Sequence, residues 1–238
     1  PITKALGEQI VKDYNLDIEI FPINQNATEN FLNYRPSANS NLNTRDSFYL
    51  VYVGTISARR DIEFIIDVLA LVKKKNDKAK LYLMGWYNEK NYSEILRKYI
   101  LNKGLNEDVI FTGKIKYDKL PVWLSKFNIG ISHIPPTSFY KVSSPTKVLS
   151  YLSVGLPVVC NREIIDQNEI IVNSGGGFST DYNRQSFAEK IIKIISNNSS
   201  GIEMGRKGRE WVKNNRSYKS LAKKLVKNYK RLLSSKIS

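Results

Sequence analysis

The chain has 238 residues, with 37 Lys/Arg against 22 Asp/Glu, a formal charge of +15 and 42% hydrophobic residues. That apolar content is ample for a packed core and excludes global disorder, while the lack of any run of about 18 apolar residues excludes a spanning helix. A single cysteine, Cys160, and a single histidine, His133, exclude an internal disulfide and a tetrahedral Cys/His zinc site. The chain opens on Pro1 rather than Met and has no apolar signal region, so it reads as a fragment without a secretory leader.

In chain order, residues 4–14 read as a helix and Asp17–Phe21 (DIEIF) as a short strand. Residues 24–47 are Asn/Ser-rich with almost no aliphatics and read as a surface connector. Its Asn26-Ala27-Thr28 acceptor pattern is discounted without a secretory signal. A rhythm starts at Phe48. The apolar run 48–54 ends in Gly54 and predicts a buried strand. A helix over 61–75 follows, with an Asp start and a Lys-rich end that suit the dipole. Strands at 80–85 and 108–113 again end in Gly, with a helix near 91–103 between them. A short helix at 116–127 holds Pro121 in its first turns. Strand 128–134, a helix from Pro145 to Val154, strand 156–160, a strand near 177–180 and a helix at 184–197 complete the series. Such alternation predicts an α/β fold: a Rossmann-like, doubly wound parallel sheet with helices on both faces. Three segments result: 1–47 as helix, strand and connector from a preceding domain; 48–198 as the Rossmann-like domain; and 199–238 as basic C-terminal helices.

The charge is concentrated. Residues 201–238 hold twelve Lys/Arg and two Glu, ten of the fifteen net positive charges. Within them Tyr218, Leu221, Leu225, Tyr229 and Leu232 recur at helical spacing, with lysines mostly on the other faces. Two readings stand together: a helix docked on the domain with a solvated Lys face, and attraction to an anionic membrane surface. Nucleic acid is disfavoured, because the aromatics share the apolar stripe and are not available to stack bases.

Ligands of open parallel sheets bind at the carboxyl ends of the strands, near the switch point. Those ends are Gly54–Arg60, Gly85–Tyr87, Gly113–Lys116, His133–Ser144 and Cys160–Glu163. A strand-end glycine either turns the chain or lets backbone approach a phosphate. Neither Gly-x-Gly-x-x-Gly nor Gly-x4-Gly-Lys-Ser/Thr occurs, so a dinucleotide oxidoreductase and a P-loop ATPase lose support. Ser143-Ser144-Pro145-Thr146-Lys147 opens a helix, with Ser144 expected as N-cap and Pro145 at the first helical position. A cation at Lys147 is either an ordinary surface lysine or a sign of an anionic partner there. Arg59 and Arg60 are expected to face the same cleft, giving a positive pocket of diphosphate size.

The order of motifs resembles the C-terminal, nucleotide-sugar-binding half of GT-B glycosyltransferases of the family-4 (glycosyl transferases group 1) type. The matching stretches are YVGTISARRDIEFII, KLYLMG, GLNEDVIFTGKIKYDKLPVWLSKFNIGI, SSPTKVLSYLSVGLPVV and GRKGREWVKNNRSYKSLAKKLVKNYKRLL, across residues 48–234. The family pattern Gly-Arg-x-Ser-x-x-Lys after the first strand falls on Gly54, with Thr55 at the Arg position and Arg60 at the Lys position. The resemblance makes Arg60 and Lys147 the catalytic cations that hold the diphosphate. It makes Gly54, Thr55, Gly113, Ile115, Ser144, Pro145, Thr146 and Ser150 the other donor-binding positions, with Gly113-Lys114-Ile115 holding the base. The glutamate expected on both ribose hydroxyls is Ser150, and the upstream glutamate is Val142; Glu163 is a candidate substitute.

What the resemblance implies is a retaining hexosyltransferase that uses a UDP- or GDP-sugar without a metal, there being no Asp-x-Asp pair. The acceptor is a glycan or a lipid-linked molecule, and a missing N-terminal domain completes the cleft. The location implied is cytoplasmic, peripheral on the cytoplasmic membrane. His133 is a candidate for the cleft or a packed loop residue. The alternatives are a non-catalytic binding subunit of a glycosylation complex, a related GT-B epimerase, and, resting on the tail charge alone, a nucleic-acid-binding protein.

Overall fold

The computed structural model describes residues 1–35, 47–87, 89 and 91–234; positions 36–46 of the expected connector lie outside the described residues. The chain begins with helices α1 (Lys4–Tyr14) and α2 (Glu29–Leu32), then strand β1 (Phe48–Val53) and a 3-10 turn at Ala58–Arg60. Next come α3 (Ile62–Lys73), β2 (Ala79–Met84), α4 (Tyr92–Asn102), β3 (Val109–Gly113), α5 (Leu120–Leu124) and β4 (Ile129–Ser132). A short α6 (Ser138–Lys141) precedes α7 (Thr146–Ser153), β5 (Val158–Asn161), α8 (Ile165–Ser174) and β6 (Gly177–Thr180). The chain closes with α9 (Arg184–Ser196), α10 (Asn198–Asn215) and α11 (Tyr218–Ser234).

The six strands form one parallel sheet in the order β3-β2-β1-β4-β5-β6. The order reverses direction between β1 and β4, which creates a switch point at their carboxyl ends. The apolar runs are continuous because both faces are covered. Successive side chains of a strand point to opposite faces. Leu50 and Tyr52 of β1 thus join Leu81, Leu83, Ile66, Leu69 and Phe187 on the α3, α4 and α9 side. Val51 joins Met84, Leu124, Leu149, Leu152 and Val212 on the α5, α7 and α10 side.

From Phe48 onward the expected strands and most of the expected helices are present, within a few residues at their ends. Three differences have physical causes. Residues 17–21 form no strand and pair with none of the six strands, because the segment is held by side-chain contacts to α1 and α11 away from the sheet edges. Instead Ile20 lies over Gly7, where an added Cβ would come within 2.6 Å of its Cγ2, and Glu19 pairs with Arg231. The connector is not all surface loop. It contains α2, whose Phe31 is buried, and Ala27 bridges to Ser217. Finally, α8 has no counterpart in the sequence reading; its buried face includes Asp166 and Gln167, so it lacks a clean apolar stripe.

The basic tail divides. Helix α10 buries Gly201, Gly205, Gly208 and Val212. A Cβ on Gly205 would fall 1.9 Å from the Gly155 carbonyl oxygen, so the glycine permits backbone contact between α10 and the turn after α7. Helix α11 buries no residue; Tyr218, Val226, Tyr229, Leu232 and Leu233 are exposed. It leans on the N-terminal segment through Arg231, which pairs with Glu19 and covers the Phe21 ring.

Candidate functional site

A cleft of about 620 Å³ opens at the switch point. Its floor is the turn after β1. A Cβ at Gly85 would fall 1.8 Å from the Gly54 carbonyl oxygen, so the turns after β1 and β2 touch and bring Trp86 to the rim. Gly54 itself has φ +151°, and a side chain there would press on the Tyr52 hydroxyl and the Lys147 ammonium.

Arg60 and Lys147 reach this cleft from opposite sides of the switch point, as the sequence predicts. The Arg60 guanidinium lies 4.7 Å from the Tyr140 ring centroid, and the Lys147 ammonium lies 4.0 Å from that of Tyr52. Both are cation–π arrangements, which hold a cation on an apolar wall. Burial of its ammonium, and then the Arg60 charge, draw the Lys147 pKa down to about 7. Burial likewise pushes the Tyr52 hydroxyl well up, so it stays protonated and donates to the Thr55 carbonyl at 3.0 Å.

His133 takes the packed role. It is 1% exposed, outside the cleft lining, stacked on Phe64 and tilted against Tyr52. Its Nε2 lies 2.8 Å from the Arg60 carbonyl and 3.1 Å from that of Asp61. Both partners only accept, so Nε2 carries the proton. The Nδ1 atom is buried without a partner. Burial first, and then the Lys147 charge, drop the His133 pKa to about 3, so the ring is neutral and braces the turn that presents Arg60.

Gly54, Thr55, Ile115, Ser144, Pro145, Thr146 and Ser150 also line the cleft. Gly113 does not. Its φ of +71° turns the chain at the end of β3, its carbonyl accepts from the Gly85 amide, and Lys114 and Ile115 reach the cleft instead. The expected cap shifts by one residue: Pro145 is the N-cap and Thr146 the first helical residue. Ser144 is drawn away, donating to Asp166 Oδ2 at 2.6 Å. Arg59 is exposed and outside the lining. Glu163 lies outside the cleft lining, and its two oxygens accept from the Tyr182 amide and the Asn161 side chain. Val142 is also outside the lining, and its carbonyl accepts from Thr3. Sequence reasoning missed the aromatic walls Tyr52, Trp86 and Tyr140. Trp86 was detectable as a large aromatic just past a strand-end glycine; it is 50% exposed, with Lys114 over its ring.

Residues 35–211 match the family model described as glycosyl transferases group 1. The chain belongs to that family. Among curated relatives it is 24% identical over 174 residues to a poly(ribitol-phosphate) alpha-N-acetylglucosaminyltransferase of Staphylococcus aureus, covering 73% of this chain and 33% of the relative. An uncharacterised glycosyltransferase of Methanocaldococcus jannaschii is also 24% identical, with 79% of this chain and 46% of the relative covered. The chain thus spans less than half the length of these relatives. Among solved structures, sucrose-phosphate synthase from Thermosynechococcus elongatus superposes with a TM-score of 0.77 at 18% identity, covering 98% of this chain and 58% of that one. The Anabaena protein HepE, solved with UDP and glucose, gives 0.65 at 17% identity, covering 78% and 48%.

In this group 1 glycosyltransferase chain the cleft has a one-sided charge. Arg60, Lys114, Lys116 and Lys147 line it, and no Asp or Glu does so among the described residues. Such a cavity focuses an anion between its walls, and the exposed Trp86 offers a flat apolar face at its rim.

Proposed function

We propose that this chain is the nucleotide-sugar-binding domain, the C-terminal half, of a retaining family-4 hexosyltransferase. Its donor is a UDP- or GDP-sugar and its acceptor a glycan or lipid-linked molecule. The observation that carries this reading is the all-cationic cleft at the β1/β4 switch point. A nucleoside diphosphate has the matching parts: a planar base for Trp86 and Ile115, and a charged diphosphate for Arg60 and Lys147. When the glycosidic bond breaks, negative charge grows on the departing diphosphate. Fixed cations already aimed at that position stabilise it without reorganisation. A further domain, supplying the acceptor wall, completes the enzyme. The exposed lysines and apolar residues of α11 suit a peripheral place on the cytoplasmic membrane surface.

Calorimetry with UDP and GDP tests the donor reading. Binding of one of them, weakened about tenfold or more in Arg60→Ala, is the expected outcome, given the typical worth of a charge-assisted contact. Absence of binding at millimolar nucleotide rejects it.

A second reading rests on one observation. Among the described residues no carboxylate lines the cleft to accept the ribose hydroxyls, and Ser150 at the expected position donates back to the Thr146 carbonyl at 3.2 Å. That favours a non-catalytic binding subunit of a glycosylation complex, one that holds nucleotide without turnover.

A further inference from the structure

A second opening lies outside the donor cleft. A groove of about 920 Å³ runs between α2, the end of α10 and the start of α11. Arg35, Arg209, Lys213, Lys219 and Lys223 line it, against a single acid, Glu29, among the described residues. Glu29 accepts from the Asn33 side chain at 3.2 Å. Among the described residues, none of the five cations makes an ion pair. Arg209 is anchored at the groove wall by the carbonyls of Tyr34 and Leu32. Burial first, and then the Arg35 charge, lower the Arg209 pKa. Arg35 and Arg209 both line the groove, and each guanidinium presents a planar fork of donors to an anion.

A smaller cavity of about 210 Å³ adjoins the donor cleft through Tyr117, Thr146 and Ser150. The groove shares no lining residue with it, and the bridge of Ala27 to Ser217 stands between the two. The groove is concave, so it fits a chain laid along it better than a flat bilayer. The exposed apolar residues of α11 that would enter a bilayer, Val226, Tyr229 and Leu233, are not in its lining.

We propose that this groove is a subsite for a polyanionic glycan, a chain bearing repeated phosphate or carboxylate groups. That the glycan is an acceptor rests on the donor reading of the cleft. The ligand is recognised by charge spacing along the groove, so both anion chemistries share the site.

The test uses the 238-residue chain and four probes: oligogalacturonate, inorganic polyphosphate, a neutral dextran oligomer, and phosphatidylglycerol vesicles. Binding is followed at low and high salt, with UDP titrated in parallel. The expected result is that at least one polyanion binds, the dextran does not, and salt weakens the binding. The triple variant Lys213→Gln/Lys219→Gln/Lys223→Gln should lose about tenfold or more in polyanion affinity, with UDP binding and thermal midpoint unchanged. Preference for oligogalacturonate names the carboxylate source, and preference for polyphosphate the phosphate source. Equal polyanion binding by the triple variant, or binding to vesicles alone, overturns the proposal. Absence of polyanion binding by the parent chain beside intact UDP binding strikes the groove alone; absence of UDP binding strikes the donor reading.

Discussion

Asp166 holds Ser144 in place: the Ser144 hydroxyl donates to its Oδ2 at 2.6 Å, while its Oδ1 pairs with Arg216. Three distant parts of the chain meet there. Ser144 belongs to the loop that opens α7, Asp166 to the first turn of α8, and Arg216 to the junction of α10 and α11, where it also donates to the Gln25 carbonyl. Arg216 and Asp166 are both buried. Removing one partner of a buried pair leaves the other charge uncompensated, at a cost of about 3–5 kcal/mol. Arg216→Met is therefore expected to lose stability of that order in chemical denaturation. Ser144→Ala should lose only about 1–2 kcal/mol. It should also weaken nucleotide binding, because the loop before Lys147 loses its tie. Equal stability of Arg216→Met and the parent chain would show that the pair is not formed.

His133 gives a pH dependence of defined sign. Its folded pKa, about 3, lies below the ordinary 6.5. The unfolded chain therefore takes up a proton that the folded chain refuses between those values. Stability falls as pH drops from about 6.5 toward 3, by up to about 1.4 kcal/mol per pH unit from this group. In His133→Gln the slope of unfolding free energy against pH should be shallower over that window. Its Arg60 turn should loosen too, raising the nucleotide dissociation constant. An unchanged slope would mean that His133 titrates alike in both states.

How far the sequence disclosed all this depends on how local each determinant is. Strands such as 48–54 are legible because burial on both faces leaves an unbroken apolar run that no surface element shares. The segment Asp17–Phe21 carries a weaker signal, a short charged/apolar alternation, and its fate depends on whether a strand of the sheet lies beside it, which alternation cannot tell. Helix α8 is illegible for the converse reason: Gln167 is fully buried but satisfied by Ser132 and Asn161, contacts from other elements. Within the site, Arg60 and Lys147 are visible as cations at strand-end and helix-start positions. The cap on α7 is misassigned because Ser144 finds a partner 22 residues away. Tyr52 reads as core, and is buried, but its ring also carries the Lys147 ammonium.

Lys147 predicts proton uptake on ligand binding. With its pKa near 7, the side chain is substantially neutral at pH 8 when the cleft holds no anion. A diphosphate beside it favours the charged form and raises that pKa. Calorimetric titration of UDP at pH 8 in buffers of different ionisation enthalpy should show a fraction of a proton taken up per nucleotide, and affinity should fall as pH rises through 8 and 9. Lys147→Met should abolish the buffer dependence while leaving Arg60 in place. In the unliganded chain the sign is the same as that of His133. The depressed lysine pKa makes the folded state bind fewer protons between about 7 and 10.5, so this group adds stability as pH rises across that range.

Ser150 separates the two functional readings. Its hydroxyl lies on the cleft wall and donates to the Thr146 carbonyl, one turn back on α7. A glutamate there would lie one turn beyond Thr146 at a cavity whose lining, among the described residues, has four cations and no acid. If α7 presents this position to a ribose, Ser150→Glu adds a carboxylate for two hydroxyls, and charge-assisted bonds of about 1.5–3 kcal/mol each outweigh the repulsion it adds toward the diphosphate. UDP should then bind about tenfold more tightly to Ser150→Glu, whereas UDP lacking its ribose hydroxyls should not gain. Equal gain for both nucleotides would assign the effect to pairing with Lys114 or Lys116 rather than to the sugar. No gain for either would mean that the ribose lies elsewhere in the cleft.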